Sequence, residues 1–389
     1  MAKLGDVCEV LNGFAFKSDQ YVESGIRIIR IANVQKGYIE DSSPTFYPMD
    51  SVEAKKYQLK ENDLLMSLTG NVGRVGLLTS NFLPAALNQR VACLRIKDRS
   101  ILEKVYLFHV LNSDFFEQKC IEFANGVAQK NMSTEWLKEY EIPVPSLDAQ
   151  RRIAAVLDKV SGLIAKRREQ LDKLDELVKA RFVEMFGDPV LNPMDWPTYQ
   201  LADMADIVSG ITKGRKTKEQ DLIEVPYMAV SNVKDGYIDW TTIKTIWATQ
   251  SEIDQYRLLP DDVLMTEGGD PDKLGRGAII QNPLENCIHQ NHIFRVRLNE
   301  NIILPVYFAE FLQHQKAKQY FLRCAKQTTG IASINMTQLK ELPTLVPPRA
   351  LQKDFTNTVE QINKSKLTIQ QSLDKLEVLK KALMQQYFG

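Results

Sequence analysis

The chain has 389 residues, of which 44% are hydrophobic and 25% charged, and its 49 basic and 49 acidic residues cancel to a net charge of zero. This balance excludes a wholly disordered chain and a protein that coats nucleic acid through bulk positive charge. No run approaches the ~18 apolar residues that a membrane span needs, and the five cysteines lack the spacing of a disulfide framework or zinc site, so we expect a cytoplasmic protein without membrane contact.

Short apolar runs between turn residues characterise the first part of the chain. The runs IRIIRIANV (26–34), NDLLMSLTG (62–70), VGLLT (75–79) and VACLRI (91–96) predict strands. Segment 103–123 has the periodicity of a helix, and so has segment 305–325. We therefore predict a compact α/β domain over residues 1–146 and a second one over residues 188–348.

A long helix is predicted after each domain, over 147–187 and over 349–389. Prolines precede both segments and none interrupts them, and ~38 helical residues extend ~57 Å. Apolar residues recur at heptad spacing, which predicts an interface made of Leu157, Val160, Ile164, Leu171, Leu174, Val178, Val359, Ile362, Ile369, Leu373, Leu376 and Leu383. The simplest partner of each helix is the other one, in an antiparallel coiled coil. The alternative is that each helix packs only on its own domain, which its length disfavours.

The chain repeats itself at an offset of 197 to 204 residues. Three of the matches are IANVQKGYI (31–39) with VSNVKDGYI (230–238), YQLKENDLLM (57–66) with YRLLPDDVLM (256–265), and LDKLDEL (171–177) with LDKLEVL (373–379). Shorter matches pair Gln89 with Gln290 and Asn131 with Asn335. Such regularity indicates a tandem duplication of a unit of about 200 residues. The predicted fold class is α/β (α+β), with two globular domains joined by two long helices in a pseudo-two-fold repeat.

Catalytic and cofactor-binding motifs are missing from the sequence. There is no Walker loop, and the glycine-rich stretches 69–76 and 267–277 lack the spacing of a dinucleotide site. We also find no amino-methyltransferase or nuclease motif. The one close histidine pair, His289 and His292, has no counterpart in the first repeat, so we predict no metal, no cofactor and no catalytic residue.

Polar loops next to the predicted strands carry side chains that suit base edges. Arginine and lysine suit guanine, asparagine and glutamine suit adenine, and acidic residues accept from cytosine. The candidate DNA-binding residues in the first repeat are Lys17, Thr69, Asn71, Arg74, Gln89, Arg90, Gln129, Lys130 and Asn131. Those in the second repeat are Lys213, Arg215, Lys216, Lys218, Asp270, Lys273, Arg276, Gln290, Asn291, His292, Gln327 and Asn335. Both repeats place polar loops at matching positions but change the residues, as a scaffold that reads two different half-sites would.

The whole chain resembles the specificity subunit of type I restriction-modification systems. The segments that carry the resemblance are GFAFKSDQY (13–21), NDLLMSLTGNVGRVG (62–76), LNQRV (87–91), AQKNMS (128–133), IPVPSLDAQRRIAAVLDKV (142–160) and MFGDP (185–189). Some loops of the second repeat, such as EGGDPDKLGRG (267–277), differ in sequence from the equivalent loops of the first repeat.

This resemblance implies that the two globular domains are target-recognition domains, each reading half of a bipartite double-stranded DNA target. It also implies that the coiled coil sets the spacer, that two methylation subunits dock on it, and that two restriction subunits can join. Two other readings stay open: a self-contained DNA-modifying enzyme with duplicated recognition domains, and a coiled-coil adaptor that does not bind DNA.

Overall fold

The computed structural model describes residues 1–125, 132–214, 221–269, 274–328 and 331–389. The chain divides into two compact units: unit 1 contains residues 1–168 and 371–389, and unit 2 contains residues 169–370. Each long helix therefore contributes one half to each unit. The four sequence-derived segments, 1–146, 147–187, 188–348 and 349–389, stay a prediction about domain organisation.

Short strands and helices build the N-terminal part of the chain, up to and including the first long helix. Its strands are β1 Ala2–Lys3, β2 Cys8–Asn12, β3 Ile26–Ile29, β4 Val34–Gln35, β5 Tyr38–Ile39, β6 Phe46–Tyr47, β7 Leu64–Ser67, β8 Val75–Leu77, β9 Ala85–Leu87, β10 Val91–Ile96 and β11 Glu141–Ile142. Its helices are α1 Leu4–Val7, α2 Val52–Lys56, α3 Lys104–Leu111, α4 Asp114–Asn125, α5 Thr134–Glu139 and α6 Leu147–Phe186.

The rest of the chain repeats this plan. Its strands are β12 Thr198–Gln200, β13 Ala205–Ser209, β14 Ile223–Met228, β15 Lys244–Ala248, β16 Val263–Thr266, β17 Gly268–Gly269, β18 Gly277–Ile279, β19 Ile288–His289, β20 Ile293–Leu298, β21 Lys326–Thr328, β22 Ile331–Ser333 and β23 Pro343–Leu345. Its helices are α7 Gln250–Tyr256, α8 Pro305–Gln313, α9 Gln315–Cys324, α10 Met336–Lys340 and α11 Arg349–Phe388.

A four-stranded antiparallel sheet forms the centre of each unit, in the order β2-β10-β7-β8 in unit 1 and β13-β20-β16-β18 in unit 2. The middle strands are apolar on both faces because each face meets a core. In β10, Ala92 and Leu94 enter the core that includes Tyr106, whereas Val91 and Cys93 enter a second core on the other face. A smaller mixed sheet accompanies each main sheet, in the order β6-β3-β9 and β15-β14-β19. The mixed helix and strand content and the tandem units confirm the predicted fold class.

One predicted strand is shorter than the sequence pattern suggests. The predicted strand 26–34 ends at Ile29 because the chain turns through a 3₁₀ segment, Ile31–Asn33. The buried Asn33 stabilises this turn, since its side-chain oxygen accepts from the N–H of Arg30 (2.9 Å) and its amide nitrogen donates to the carbonyl of Glu40 (2.9 Å). Asn232 makes the equivalent bonds in unit 2.

Each of the two predicted helices 103–123 and 305–325 is broken into a pair. In unit 1 the hydroxyl of Ser113 donates to the carbonyl of Val110 (2.7 Å) and accepts from the N–H of Phe116 (3.2 Å), so it ends α3 and starts α4. In unit 2 the extended backbone of His314 separates α8 from α9. A continuous helix over either segment is therefore wrong.

The long helices α6 and α11 contain 40 residues each, about 60 Å of helix, and their bounds agree with the sequence prediction to within one residue. None of the helices in the described ranges combines the length and the hydrophobicity of a membrane-spanning segment.

Candidate nucleic-acid interface

One edge of the main sheet of unit 1 collects loops from three strands. Val91 pairs with Ser67, and Ala92 pairs with Asn12. The end of β2, the end of β7 and the start of β10 therefore lie side by side. The polar segments that follow or precede these strands must leave the sheet at the same edge.

Backbone hydrogen bonds tie these segments together. The N–H of Gln89 donates to the carbonyl of Phe14 (2.9 Å), and the N–H of Leu68 donates to the carbonyl of Arg90 (3.0 Å). The N–H of Met132 donates in turn to the carbonyl of Leu68 (2.8 Å). We call residues 13–17, 67–74, 88–90 and 132 the loop edge of unit 1. It brings together the candidate residues Lys17, Thr69, Asn71, Arg74, Gln89 and Arg90.

The turn within this loop edge is fixed by Ser67, which is fully buried. The backbone N–H of Ser67 donates to the carbonyl of Arg74 (3.0 Å), and the N–H of Arg74 donates to the Ser67 hydroxyl oxygen (3.1 Å). Gly70 and Gly73 have φ values of +69° and +84°, which glycine adopts without strain. The backbone of Arg74 is thus held in place at the edge of the sheet.

Two amides hold the side chain of Arg74. Its Nη1 donates to Oε1 of Gln35 at 2.7 Å, and the Nε2 of Gln35 donates to the carbonyl of Ala32 at 3.0 Å. The amide of Asn71 lies beside the same guanidinium, and once it is turned so that its oxygen faces Arg74 it accepts from both terminal nitrogens at 3.3 Å. Asn71, a candidate base reader, therefore contacts Arg74 in this structure.

Unit 2 has an equivalent edge. The N–H of Asn291 donates to the carbonyl of Ile211 (3.0 Å), the N–H of Glu267 donates to the carbonyl of His292 (3.0 Å), and the N–H of Ile334 donates to the carbonyl of Glu267 (2.9 Å). We call residues 210–214, 266–269, 274–276, 290–292 and 334–335 the loop edge of unit 2. It contains the candidate residues Lys213, Arg276, Gln290, Asn291, His292 and Asn335.

The matching bonds correct two of the residue pairs inferred from the sequence repeat. Gln89 and Asn291 donate the equivalent backbone bond, so Gln89 corresponds to Asn291 and not to Gln290. Ser133 caps α5 and Asn335 caps α10, so Asn335 corresponds to Ser133 and not to Asn131.

Two candidate residues of unit 2 have structural partners. The Oε1 of Gln290 accepts from the N–H of Val230 (3.3 Å), and the side chain of Asn335 accepts from the N–H of Gln338 (2.9 Å) as a helix cap. By contrast, the side chain of His292 is 57% exposed, with its Nδ1 2.6 Å from Oε2 of Glu267. Lys213 is also exposed, as are Lys17, Gln89 and Arg90 in unit 1.

Several candidates fall outside what the structure describes. These are Gln129, Lys130, Asn131, Arg215, Lys216, Lys218, Asp270, Lys273 and the side chain of Gln327.

The two long helices pair in antiparallel fashion within each unit. In unit 1, Arg168 Nη2 lies 2.7 Å from Oε1 of Glu377, and Leu157 shares a core with Phe388. In unit 2, Lys366 bonds to Asp175, and the ring centroids of Phe182 and Phe355 are 5.5 Å apart. Among the predicted interface residues, Leu157, Val160, Ile164, Val359, Ile362 and Leu373 are buried, and Leu171, Leu174, Val178, Ile369, Leu376 and Leu383 are half-buried.

A glutamine that the sequence analysis missed docks each long helix onto the domain before it. The fully buried Gln352 accepts from the N–H of Leu304 (2.7 Å) and donates to the carbonyls of Ile302 (3.1 Å) and Pro347 (2.8 Å). Gln150 is also fully buried and makes the same three kinds of bond in unit 1. A polar residue one turn into an otherwise apolar stripe, repeated at an offset of 202, was the available signal.

The two histidines noted in the sequence have different surroundings. Burial lowers the pKa of His289 to about 4, and its Nδ1 lies 3.0 Å from the carbonyl of Ile293. His292 is exposed at the loop edge instead. In the part of the chain that the structure describes, no three histidine, cysteine or acidic side chains are grouped to bind a metal ion.

These features define a protein with two equivalent domains, each presenting an edge of polar loops, and a pair of antiparallel helices. A model of the type I restriction modification DNA specificity domain matches residues 1–175 and 193–380. The chain therefore belongs to this family, as its sequence motifs indicated.

Curated relatives agree with the family match. The chain is 20% identical over 378 residues to the type I restriction enzyme EcoKI specificity subunit of Escherichia coli K12, covering 93% of this chain and 81% of that protein. It is 22% identical over 379 residues to the StySPI specificity subunit of Salmonella potsdam, with the same coverage of 93% and 81%.

Solved structures share the fold. The S subunit of a type I restriction-modification system from M. genitalium superimposes with a TM-score of 0.57 at 16% identity, covering 100% of this chain and 95% of that one. A chain from a study of complex assembly and conformational transition of the type I R-M system gives a TM-score of 0.59 at 16% identity, covering 100% and 96%.

Proposed function

We propose that this chain is the DNA sequence-recognition subunit of a type I restriction-modification complex and has no catalytic role of its own. The observation that carries the proposal is the family match over both repeats, together with two loop edges that share their backbone bonds but not their side chains. Leu68 and Arg90 in unit 1 correspond to Glu267 and His292 in unit 2. Equivalent frames with different side chains suit the reading of two different DNA sequences.

Each loop edge reads one half of a bipartite double-stranded target in this proposal. Exposed Arg90 and Gln89 in unit 1 offer donors and an amide, whereas His292 with Glu267 offers an imidazole in unit 2. Such groups discriminate base edges in the major groove. The paired helices α6 and α11 set the spacer between the half-sites and dock two methylation subunits, and two restriction subunits can join the assembly.

The test is to co-express the chain with the methyltransferase-like protein encoded beside it, in a host without adenine methylation, and to map methyladenine across the genome. A split motif with two short defined halves and a fixed spacer is the expected result. A stable complex that yields no motif contradicts the recognition role.

The same experiment discriminates the alternatives. Modification of DNA by the purified chain alone would favour a self-contained enzyme. Absence of any complex would favour an adaptor that does not bind DNA. An assembled complex whose activity is unchanged by Arg74→Ala, Gln89→Ala and Arg276→Ala would favour it as well.

A further inference from the structure

Arg74 differs from several buried or half-buried arginines of the protein, because its charge has no carboxylate beside it among the residues that the structure describes. Arg95 is bonded to Asp63, Arg297 to Asp262 and Arg295 to Asp206. Arg74 is held by the amides of Gln35 and Asn71, and no described carboxylate lies within ion-pairing distance of it. A neutral acceptor fixes a guanidinium without cancelling its charge, so Arg74 retains its full attraction for an electron-rich group.

The position of Arg74 directs that charge to the loop edge of unit 1. Arg74 precedes β8 and lies opposite Ser67, whose neighbour Leu68 is bonded to Arg90. The guanidinium has five N–H donors in a planar fork. The bond to Gln35 uses one of them and the two bonds to Asn71 use two more, which leaves two donors. The remaining donors can still bind a planar ligand with two adjacent acceptors.

Gln35 itself is held in one orientation. Its Nε2 donates to the carbonyl of Ala32, so its Oε1 must face Arg74. Gln35 belongs to the hairpin of β4 and β5, which is bonded to β8 through the N–H of Gly37 and the carbonyl of Val75 (2.8 Å). The hairpin of β4 and β5, itself bonded to β8, therefore holds the side chain of Arg74 through Gln35.

The second repeat supplies an internal contrast. Arg276 occupies the position of Arg74, because its carbonyl accepts from the N–H of Thr266 as that of Arg74 accepts from Ser67. Lys234 occupies the position of Gln35 in the repeated N-V-x-x-G-Y-I motif. Lysine has donors only, so it cannot hold an arginine by accepting from it. The support of Arg74 is thus specific to unit 1.

We propose that Arg74 reads a guanine in the half-site recognised by unit 1, and that Gln35 is its positioning residue. Guanine O6 and N7 are the paired acceptors that an arginine fork matches. This inference rests on the proposed function, and it adds one base, one reading residue and the residue that orients it.

The experiment uses the full chain assembled with its methylation partner and a panel of duplexes carrying each of the four bases at every position of both half-sites. In the variant Arg74→Ala we expect the preference at one guanine position of one half-site to fall by roughly 5- to 150-fold, with the other half-site unchanged. Arg74→Lys keeps the charge but not the fork, so it should lose the same preference. Arg99→Ala, an exposed arginine beyond the far end of β10, is the matched control.

A double-mutant cycle tests the role of Gln35. Gln35→Ala should weaken the preference at the same position only, and it should cause no further loss when added to Arg74→Ala, because it acts through that side chain. Gln118→Ala, an exposed glutamine on α4, should change neither half-site. Additive losses would mean that Gln35 has a merely structural role, which overturns the positioning assignment.

Other outcomes separate this inference from the function on which it rests. A uniform loss of binding over all sequences, with a salt dependence reduced by about one unit, would make Arg74 a phosphate contact and overturn base reading. An unchanged panel for both Arg74 variants would also overturn it, while the recognition role stands. If the wild-type complex itself shows no preference at either half-site, the proposed function fails as well.

Discussion

Removal of the buried glutamine at the start of α11 should destabilise unit 2 strongly. In Gln352→Ala, the N–H of Leu304 and the carbonyls of Ile302 and Pro347 lose their partner, at bonds of 2.7, 3.1 and 2.8 Å. A buried polar group without a partner costs about 1–3 kcal/mol. Since the bonds to Leu304 and Pro347 are buried and the third is partly exposed, we expect a total loss of about 3–5 kcal/mol.

Thermal denaturation of the full chain and hydrogen exchange on peptides from 300–312 and 347–360 measure this loss. A domain of this size should melt about 6–20 °C lower, and the first turns of α11 should exchange faster than the rest of the helix. Gln361→Ala, an exposed glutamine on the same helix, is the matched control. A loss below about 1 kcal/mol, or one no larger than that of the control, would refute the idea that Gln352 docks the helix.

Burial of two ionisable side chains and the exchange of one domain give three more measurable outcomes. His289 is neutral when buried, so the free energy of unfolding should fall by on the order of 3 kcal/mol as the pH decreases from 6.5 towards its folded pKa of about 4. Denaturant titrations at a series of pH values measure this fall, and the dependence on pH should be weaker in His289→Gln. Asp63→Asn removes the charge of a buried carboxylate that is bonded to Arg95, so urea unfolding should show a free energy of unfolding lower by about 3 kcal/mol. The control Asp98→Asn, on the surface, should leave the free energy of unfolding nearly unchanged. Exchange of residues 1–146 for another recognition domain should change one half of the methylated motif, and a change in both halves would contradict modular recognition.

The direction in which burial shifts the pKa of His289 decides how stability changes with pH. Burial lowers the pKa of His289, so the unfolded chain binds a proton at a higher pH than the folded chain does. The contribution to stability is therefore complete above pH 6.5 and decreases as protons bind to the unfolded state. An opposite slope, with stability rising towards acid pH in wild type relative to His289→Gln, would show that the folded protein accommodates the charged ring.

The long helices could be predicted almost to the residue because their signals are local and redundant. Heptad apolar residues, preceding prolines and the absence of internal prolines all point to the same bounds. The paired helices α3 and α4 were missed because one side chain, Ser113, decides the break. Hydrophobic periodicity continues across such a break, so it does not reveal where a hydroxyl competes for the backbone.

The candidate site was predictable only as a set of loops. The strand order that aligns Asn12, Ser67 and Val91 depends on pairing between distant segments, which a single sequence does not encode locally. The sequence also does not distinguish polar loop residues that are free to bind DNA from those with a structural role. Asn335, for example, caps a helix, and Gln290 accepts from a backbone N–H. Gln35 was overlooked for the converse reason, since its partner Arg74 is 39 residues away.

The two repeats can be compared with each other to distinguish residues that maintain the fold from residues that are free to contact DNA. Three pairs of side chains that make equivalent structural bonds recur in both copies: Asn33 and Asn232 at the 3₁₀ turn, Gln150 and Gln352 at the long helices, and Asp63 and Asp262 with their arginines. The glycine at 13 and 210 also recurs, because a Cβ there would lie 2.2 Å from the carbonyl oxygen of Asn88 or 1.9 Å from that of His289.

Residues at the loop edges change between the copies although their backbone bonds do not. Leu68 is replaced by Glu267, and Arg90 by His292, at the same pair of hydrogen-bonded positions. Leu68 is buried in the core of unit 1, so the exchange that bears on recognition is that of the exposed Arg90 for the exposed His292. The backbone frame survives this exchange, which is the property that a recognition surface for different DNA sequences requires.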